Sequence, residues 1–502
     1  MNKKILTLDN LRKIRIKYKS KKIVLAHGTF DFFHYGHLKH LQKSKNKGDI
    51  LVVSLTADDF MRKGPGRPIY NESQRAEIIS SIDFVDYVSI VHSLSGIEVI
   101  KALKPNYYSK GIEYKNKIND FTNKISIEEK TVKICGGKVF YTNENVLSAS
   151  KLINKFRNSE KKPKNIFLSE LKKSCDLNFF LNNFNRVKNK KILIIGDTIL
   201  DEYIFTKALA KSPKEELISV KEDERKLYLG GILATAKHIS NFVKMPTLLT
   251  VVGSDTNTNQ LIKKSFKSQC KLVLFKDNNR KNIQKTRYLD GQMRKLFQSN
   301  DVPFEDINKN IEKKIIFYLN KSLKYYDLVV INDFGHGLLT SKIRKLIEKK
   351  SNKLAINVQS NSANLGYNFF NKYKKCDYLT MDEPEARMAT GERFAKIDHV
   401  VKGIKKIINA KIIAVTHGPK GTRIFDKDKN FYIPALSTQA VDTLGAGDAF
   451  FAISSIYSLA DKNARNLAFI GNLSGALKIK YLGHEKTIKQ NKFFIYLKSL
   501  LL

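Results

Sequence analysis

Long apolar runs are missing from this 502-residue chain. The longest low-charge stretch, near Ala449 to Ala460, falls far short of the roughly 20 residues a helix needs to cross a bilayer. The N-terminal MNKKILTLDNLRKIRIKYKSKK is charged throughout, so neither a signal peptide nor a membrane partner is expected. Cysteine is scarce: Cys135, Cys175, Cys270 and Cys376 lie far apart, which excludes a disulfide framework and a Cys-based zinc site and fits a reducing, cytoplasmic location. Acidic residues are also few, 48 against 90 basic ones, for a net charge of 90 − 48 = +42. The lysines are spread over the whole chain among abundant Asn and Ile, a compositional bias and not one basic face, so no nucleic-acid partner is expected. Such a surface still attracts small anions. No internal repeat or long low-complexity segment occurs.

What is present is enough for several cores: 42% hydrophobic and 10% aromatic residues, at a length that predicts two to four domains. Two strand-like runs, KKIVLAHGTFD (Lys21 to Asp31) and KKILIIGDTILD (Lys190 to Asp201), each end in a Gly-containing turn. Runs that lead through such a turn into a helix open parallel α/β sheets, so each is read as the first strand of its own α/β domain. Between them, SEKKPKN opens a Lys/Pro-rich linker, and Ile166 to Phe184 carries apolar residues at helical spacing. The expected organisation is a domain over 1–158, a linker with a helix over 159–188, and a domain over 189–502.

In the first domain, HGTFDFFHYGHLKHLQKSK places His34 and His37 three residues apart at the start of a helix expected over Gly36 to Ser44. That spacing sets two imidazoles on one helix face beside N–H groups that favour an anion. Attack on the α-phosphate of a nucleoside triphosphate piles charge on non-bridging oxygens, and fixed cationic or N–H donors lower that barrier. The string GTFDFFHYGH resembles the G-x-F-D-x-x-H-x-G-H signature of the cytidylyltransferase-like nucleotidyltransferases. The resemblance implies a Rossmann-like fold, with Gly28, Thr29, Phe30 and Asp31 at the nucleotide and His34 and His37 in catalysis. It also implies that Lys63 and Arg75 grip the triphosphate, that Lys110 and Gly111 of KPNYYSKGIEY lie by the nucleotide, and that Ser148 and Ser150 of LSASKLI hold phosphate. Ala149 replaces the middle Thr of that last motif. ATP is the implied nucleotide, with CTP as the alternative.

In the second domain, VDTLGAGDAFFAISSIYSLA sets Gly445, Ala446 and Gly447 where backbone N–H groups converge at the start of an apolar helix, an anion hole. Asp448 sits at its mouth, where a carboxylate can take the proton of an attacking hydroxyl. The string D-T-L-G-A-G-D-A-F resembles the D-T-x-G-A-G-D-x-F signature of the ribokinase-like PfkB carbohydrate kinases. The resemblance implies Asp448 as catalytic base, with Thr443, Gly445, Ala446, Gly447, Gly418 and Gly421 near ATP. It further implies Asp201, backed by Asp197, and the Gly230-Gly231 loop on the sugar, and Glu385 with Asp382 as the Mg²⁺ carboxylates. Three positions depart from the family pattern: Ala234 for Asn, His336 for Lys, and Asp382 for Asn, which suggests another sugar or a weakened site. The Asn/Gln/Ser-rich segment Asn357 to Asn368 reads either as a sugar-binding stretch or as a solvated loop.

The pairing of domains resembles the bifunctional heptose-phosphate kinase–adenylyltransferases with their domain order reversed. That resemblance implies sugar phosphates and nucleoside triphosphates as partners, two activities leading to an ADP-heptose-like product, and a homodimer.

Overall fold

The computed structural model describes residues 4–61, 68–93, 95–112, 124–142, 163–211, 214, 218–427, 429–437 and 440–501. The chain divides into two compact units, Met1–Leu168 with Phe494–Leu502, and Ser169–Phe493. Among the described residues, no helix is long and apolar enough to cross a membrane.

The first unit is a parallel sheet of β1 (Ile23–Gly28), β2 (Ile50–Thr56), β3 (Tyr87–Val91), β4 (Tyr107–Gly111) and β5 (Lys138–Thr142), in the order β3-β2-β1-β4-β5. Successive side chains of a strand face opposite sides. Ile23 and Leu25 accordingly enter one core with Val99 and Leu103, while Val24 and Ala26 enter the other with Leu41 and Ile79. Burial on both faces explains the unbroken apolar run in β1. The chain reverses its winding between β1 and β4, and ligands of open α/β sheets bind beyond the carboxyl ends of the strands at such a point. Gly28 ends β1 and Gly111 ends β4.

The second unit carries two sheets. The larger has the order β10-β9-β6-β13-β14-β15-β16-β17-β18. Its parallel part is formed by β6 (Ile192–Gly196), β9 (Thr247–Val252), β10 (Lys271–Lys276), β13 (Leu328–Asp333), β14 (Leu354–Val358), β15 (Lys375–Asp382) and β16 (Asn409–Thr416). The strands β17 (Thr422–Asp426) and β18 (Lys429–Ile433) join it antiparallel. The smaller sheet, in the order β12-β11-β7-β8, consists of β7 (Thr198–Lys211), β8 (Ile218–Gly230), β11 (Ile283–Leu289) and β12 (Lys295–Asp301). Winding reverses between β6 and β13, which places Asp197 and Asn332 at the switch point.

Both units confirm the α/β class, but the second departs from the expected strand–turn–helix opening. After β6 the chain enters β7, and a helix follows only at Gly231–Ile239. The β-branched and aromatic run TILDEYIFT favours extended backbone, so Asp201 rides on a strand of the smaller sheet and not on a turn. The segment read as a linker with one helix contains two, Pro163–Ser174 and Leu177–Val187. Asp176 separates them by accepting the Phe179 N–H at 2.7 Å as an N-cap. The second helix buries Phe180, Phe184 and Val187, with the Phe184 ring 5.1 Å from that of Tyr457.

Candidate functional site

At the switch point of the first unit, the helix forms over Tyr35–Lys45, one residue longer at each end than expected. His34 is its N-cap, its Nδ1 accepting the Gly36 N–H at 3.1 Å, and the His34 and His37 rings stack with centroids 3.9 Å apart. Phe30 packs its ring edge-on to His37 at 5.4 Å. Both Phe30 and Phe32 hold positive φ, 46° and 55°, a strained conformation of the kind that functional loops retain. The GTFDFFH turn is thus bent so that both imidazoles and the helix N-terminus share one place, as the signature implies. Asp31 is fully buried and accepts the Ile69 N–H at 2.8 Å.

Arg75 behaves differently from the expectation of a triphosphate grip. Its side chain is buried, donating to the carbonyls of Thr29 at 2.6 Å, Thr56 at 2.9 Å and Tyr70 at 3.1 Å, and it pairs with Asp58 at 2.5 Å. It braces the backbone of the signature turn from below. Lys110 is likewise built in: its ammonium lies 3.0 Å from Glu128 and donates to the His27 carbonyl at 3.4 Å. Glu128, which sequence reasoning missed, also accepts from the Gly96 N–H at 2.7 Å and the Tyr108 hydroxyl at 2.9 Å. Burial would raise its carboxyl, but Lys110, His27 and the Gly96 N–H bring it down to about 2. A depressed carboxyl contributes stability above the ordinary Glu range and loses it as pH falls toward 2. Glu128→Ala strands a buried ammonium and is expected to cost about 3 kcal/mol of first-unit stability at pH 7, read as a lower urea midpoint. An unchanged midpoint would refute the pairing. Lys63, Ser148 and Ser150 lie outside the described residues.

In the second unit, Gly445 (φ 75°) turns the chain into the helix Ala446–Tyr457, and a side chain added at Gly447 would meet open space. The Ala446 N–H donates to the Thr443 carbonyl at 3.2 Å, which leaves the N–H groups of Gly445 and Gly447 for an anion at this helix start. Asp448, in the first turn, is 5% exposed, and its Oδ1 accepts from Asn332 Nδ2 at 2.9 Å. Burial pushes its carboxyl above the ordinary range. Asn332 also donates to Thr235 Oγ1 at 3.1 Å, so the end of β13 fixes the Asp448 rotamer.

Asp201 is equally buried, paired with Arg287 at 2.5 Å and with His484 Nε2 at 3.4 Å. Strand register sets Lys285 of β11 directly opposite Asp201. Asp197 accepts the N–H groups of His336 at 3.2 Å and Leu338 at 3.4 Å, so it holds the loop after β13; burial and Asp333 raise it to about 6. The Gly230-Gly231 turn lies against these groups: a Cβ at Gly230 would overlap the Asp201 carboxylate. Gly230→Ala is therefore expected to reduce ADP formation by about tenfold or more through displacement of Asp201, a loss a sugar-saturation assay would detect. Saturation kinetics equal to wild type would show the turn tolerates the methyl group.

Two of the three departures from the family pattern, Ala234 and His336, are buried. Ala234 is buried in the helix Gly231–Ile239, and His336 is 2% exposed, its imidazole brought down to about 3 by burial, Lys285 and Arg280. A neutral His336 leaves Lys285 as a cation of this centre. The Asn-rich segment spends its amides on protein: Asn361 and Asn364 donate to the Phe334 carbonyl at 3.1 and 2.7 Å, and Asn368 to the Asp333 carbonyl at 3.0 Å. These amides pin the loop after β13, while Ser362 and Leu365 to Tyr367 of the same segment stand exposed to solvent.

Asp382 and Glu385 form a reciprocal capping box at the helix Glu383–Thr390, with bonds of 2.7 and 3.0 Å. Burial and Asp382 raise the Glu385 carboxyl to about 8. Both Glu385 oxygens accept backbone N–H groups, Oε1 that of Ser360 at 2.8 Å and Oε2 that of Asp382 at 3.0 Å, so the pair suits a Mg²⁺ ion reached through water and not by direct ligation of Glu385. Among the described residues no group of three or more His, Cys, Asp or Glu forms a full metal cage. A cavity of about 460 Å³ lined by Glu383, Arg387, Met388 and His417 opens beside this pair and next to Gly418. Gly421 (φ 91°) lies too close to the Ile433 carbonyl for any side chain.

Sequence reasoning also missed Asn332, Lys285, Arg287 and His484. The only advance signal was a basic pair at i and i+2 in a β-prone run, lost in a chain with 90 basic residues.

Comparison with known proteins bears on both units. A family model described as pfkB family carbohydrate kinase matches residues 189–491, and one described as cytidylyltransferase-like matches residues 25–209. The chain is 27% identical over 306 residues to the Bifunctional protein HldE of Aliarcobacter butzleri, covering 60% of this chain and 63% of that one. It is 42% identical over 118 residues to the Bifunctional protein HldE of Campylobacter jejuni subsp. doylei, covering 23% and 25%. The matches thus span less than two thirds of the length of these relatives. Escherichia coli phosphofructokinase-2 in complex with potassium superposes with a TM-score of 0.50 at 14% identity, over 62% of this chain and 99% of that one. This likeness establishes the fold of the second unit.

Proposed function

Because the chain belongs to the pfkB family of carbohydrate kinases and carries a cytidylyltransferase-like region ahead of that part, we propose that it is a bifunctional sugar-nucleotide precursor enzyme. The second unit phosphorylates a sugar phosphate of the heptose 7-phosphate type with ATP, and the first transfers a nucleotidyl group to a sugar 1-phosphate, releasing pyrophosphate. The observation that carries the kinase half is the pairing of a buried Asp448, held by Asn332 at 2.9 Å, with the N-terminus of the helix Ala446–Tyr457.

In the kinase reaction, Asp448 accepts the proton of the attacking sugar hydroxyl. The freed oxygen bonds to the γ-phosphorus as the bond to the ADP oxygen breaks. N–H groups of Gly445 and Gly447 take up charge on the transferring group, while that of Ala446 holds the Thr443 carbonyl. Asp201, oriented by Arg287, and the Gly230-Gly231 turn hold the sugar, and Asp197 holds the loop beneath it. The nucleotide lies along Thr443, Gly418 and Gly421, with the cavity at Glu383 and His417 beside it. Glu385 and Asp382 would hold Mg²⁺ through water, and the ion would supply the positive charge that neutralises phosphate. Asp201 and Asp448 are both closed from solvent, 4% and 5% exposed.

In the transferase reaction, His34, His37 and the helix N-terminus stabilise the α-phosphate as the sugar phosphate oxygen attacks and pyrophosphate leaves. Gly28, Thr29, Phe30 and Asp31 shape the nucleotide site, and Lys63, Gly111, Ser148 and Ser150 complete it. Lys110 contributes positive charge from behind the strand ends. Arg75 serves by positioning the Thr29 carbonyl.

The deciding experiment supplies heptose 7-phosphate and heptose 1-phosphate separately, with ATP or CTP and Mg²⁺, and resolves ADP from pyrophosphate. ADP with the first and pyrophosphate with the second are expected. Pyrophosphate without ADP would leave the kinase unit as a sugar-binding module, and neither product would overturn the proposal.

A further inference from the structure

Between the two glycine turns of the kinase centre stands one imidazole with no assigned role. His484 is 5% exposed at its side chain, with Nε2 3.4 Å from the Asp201 carboxylate. Its Nδ1 is buried and makes no hydrogen bond. The ring bridges the turns: its Cδ2 lies 3.4 Å from the place of a Cβ on Gly230, and its Cε1 and Nδ1 lie 2.8 and 3.2 Å from the place of one on Gly445. One edge of the ring therefore touches the sugar side of the centre, and the other touches the anion hole.

The carboxylate 3.4 Å from Nε2 favours the tautomer with its proton on Nε2, the form in which Nδ1 presents a lone pair. Burial lowers the imidazole's pKa, opposed by Asp201 and Asp448 and assisted by Lys478 and Arg287, so the ring is neutral. A buried acceptor without a partner is costly unless a ligand supplies one. A lone pair repels phosphoryl oxygens and accepts from O–H, which selects the sugar over the nucleotide.

We propose that His484 is a specificity contact of the kinase centre, its Nδ1 accepting a hydrogen bond from a hydroxyl of the sugar that is phosphorylated. The inference rests on the kinase reading of this centre. Its rival is a bracing role, in which His484 only holds Asp201 in place.

Two substitutions separate these roles, because the Gln amide reaches the Nε2 position and the Asn amide the Nδ1 position. Wild-type protein is first assayed for ADP release with heptose 7-phosphate, fructose 6-phosphate and ribose 5-phosphate, and the fastest acceptor is carried forward. His484→Gln is expected to raise the KM for that sugar about tenfold, one neutral hydrogen bond, with the KM for ATP unchanged. His484→Asn is expected to lose less. The reverse order, Asn worse than Gln, would establish bracing and overturn the proposal. A second readout uses intact wild-type protein labelled with ¹⁵N-histidine: the Nδ1 signal of His484 is expected to move upfield when the sugar is added without ATP, and an unmoved signal overturns the proposal even if the variants fold poorly. A winner other than heptose 7-phosphate would refute only the heptose assignment. Silence toward all three sugars would refute the kinase reading and this inference together.

Discussion

Asp448→Asn is expected to lower ADP formation by about three orders of magnitude while leaving pyrophosphate formation at the wild-type rate. The substitution is nearly isosteric and an amide oxygen can still accept from Asn332 Nδ2, so the centre keeps its shape and loses only the proton acceptor. Burial raises this carboxyl above the ordinary aspartate range, which gives the prediction two further handles. The base must be ionised to act, so kcat/KM for phosphorylation should fall as pH drops through a value above that of a free aspartate. The folded state also holds the proton more tightly than the unfolded one, so this residue's contribution to stability is present at low pH and is lost as pH rises through the raised value. The Asn variant should therefore melt no lower than wild type at pH 7. A pH–rate profile and a thermal melt check both statements. Residual phosphorylation within tenfold of wild type would remove Asp448 from the base role.

His37→Ala has the mirror effect: pyrophosphate formation is expected to fall about 10²- to 10³-fold, the usual loss when one fixed donor to a charge-developing oxygen is removed, while ADP formation stays unchanged. His34 and His37 stack at 3.9 Å, so they act as a unit. The double substitution His34→Ala with His37→Ala should lose less than the sum of the two single losses. Full additivity would mean that the rings contact separate groups. Damage to both activities by His37→Ala in folded protein would refute the assignment of separate centres.

The signatures were readable because they are local. Gly28 with His34 and His37, and Gly445 with Asp448, lie within one turn and one helix start, where short-range backbone geometry alone brings donors together. The apolar runs Ile23–Gly28 and Ile192–Gly196 likewise declared themselves as buried parallel strands. Roles that depend on contacts across the fold were not readable. Arg75 looks from the chain like a phosphate-gripping cation, yet its donors are consumed by Thr29, Thr56, Tyr70 and Asp58. The amides of Asn361, Asn364 and Asn368 look like sugar ligands and instead hold a loop.

The sequence by itself determined the two α/β units, the order in which they follow, and the turn-borne groups of each centre, since hydrophobic periodicity and glycine placement act over a few residues. Only the tertiary structure decided which charges are neutralised and which are left to work. Asp201 meets Arg287 across 86 positions and Asp448 meets Asn332 across 116. Such pairings arise from strand register and sheet packing, and burial then sets their protonation by removing the water that would otherwise level them.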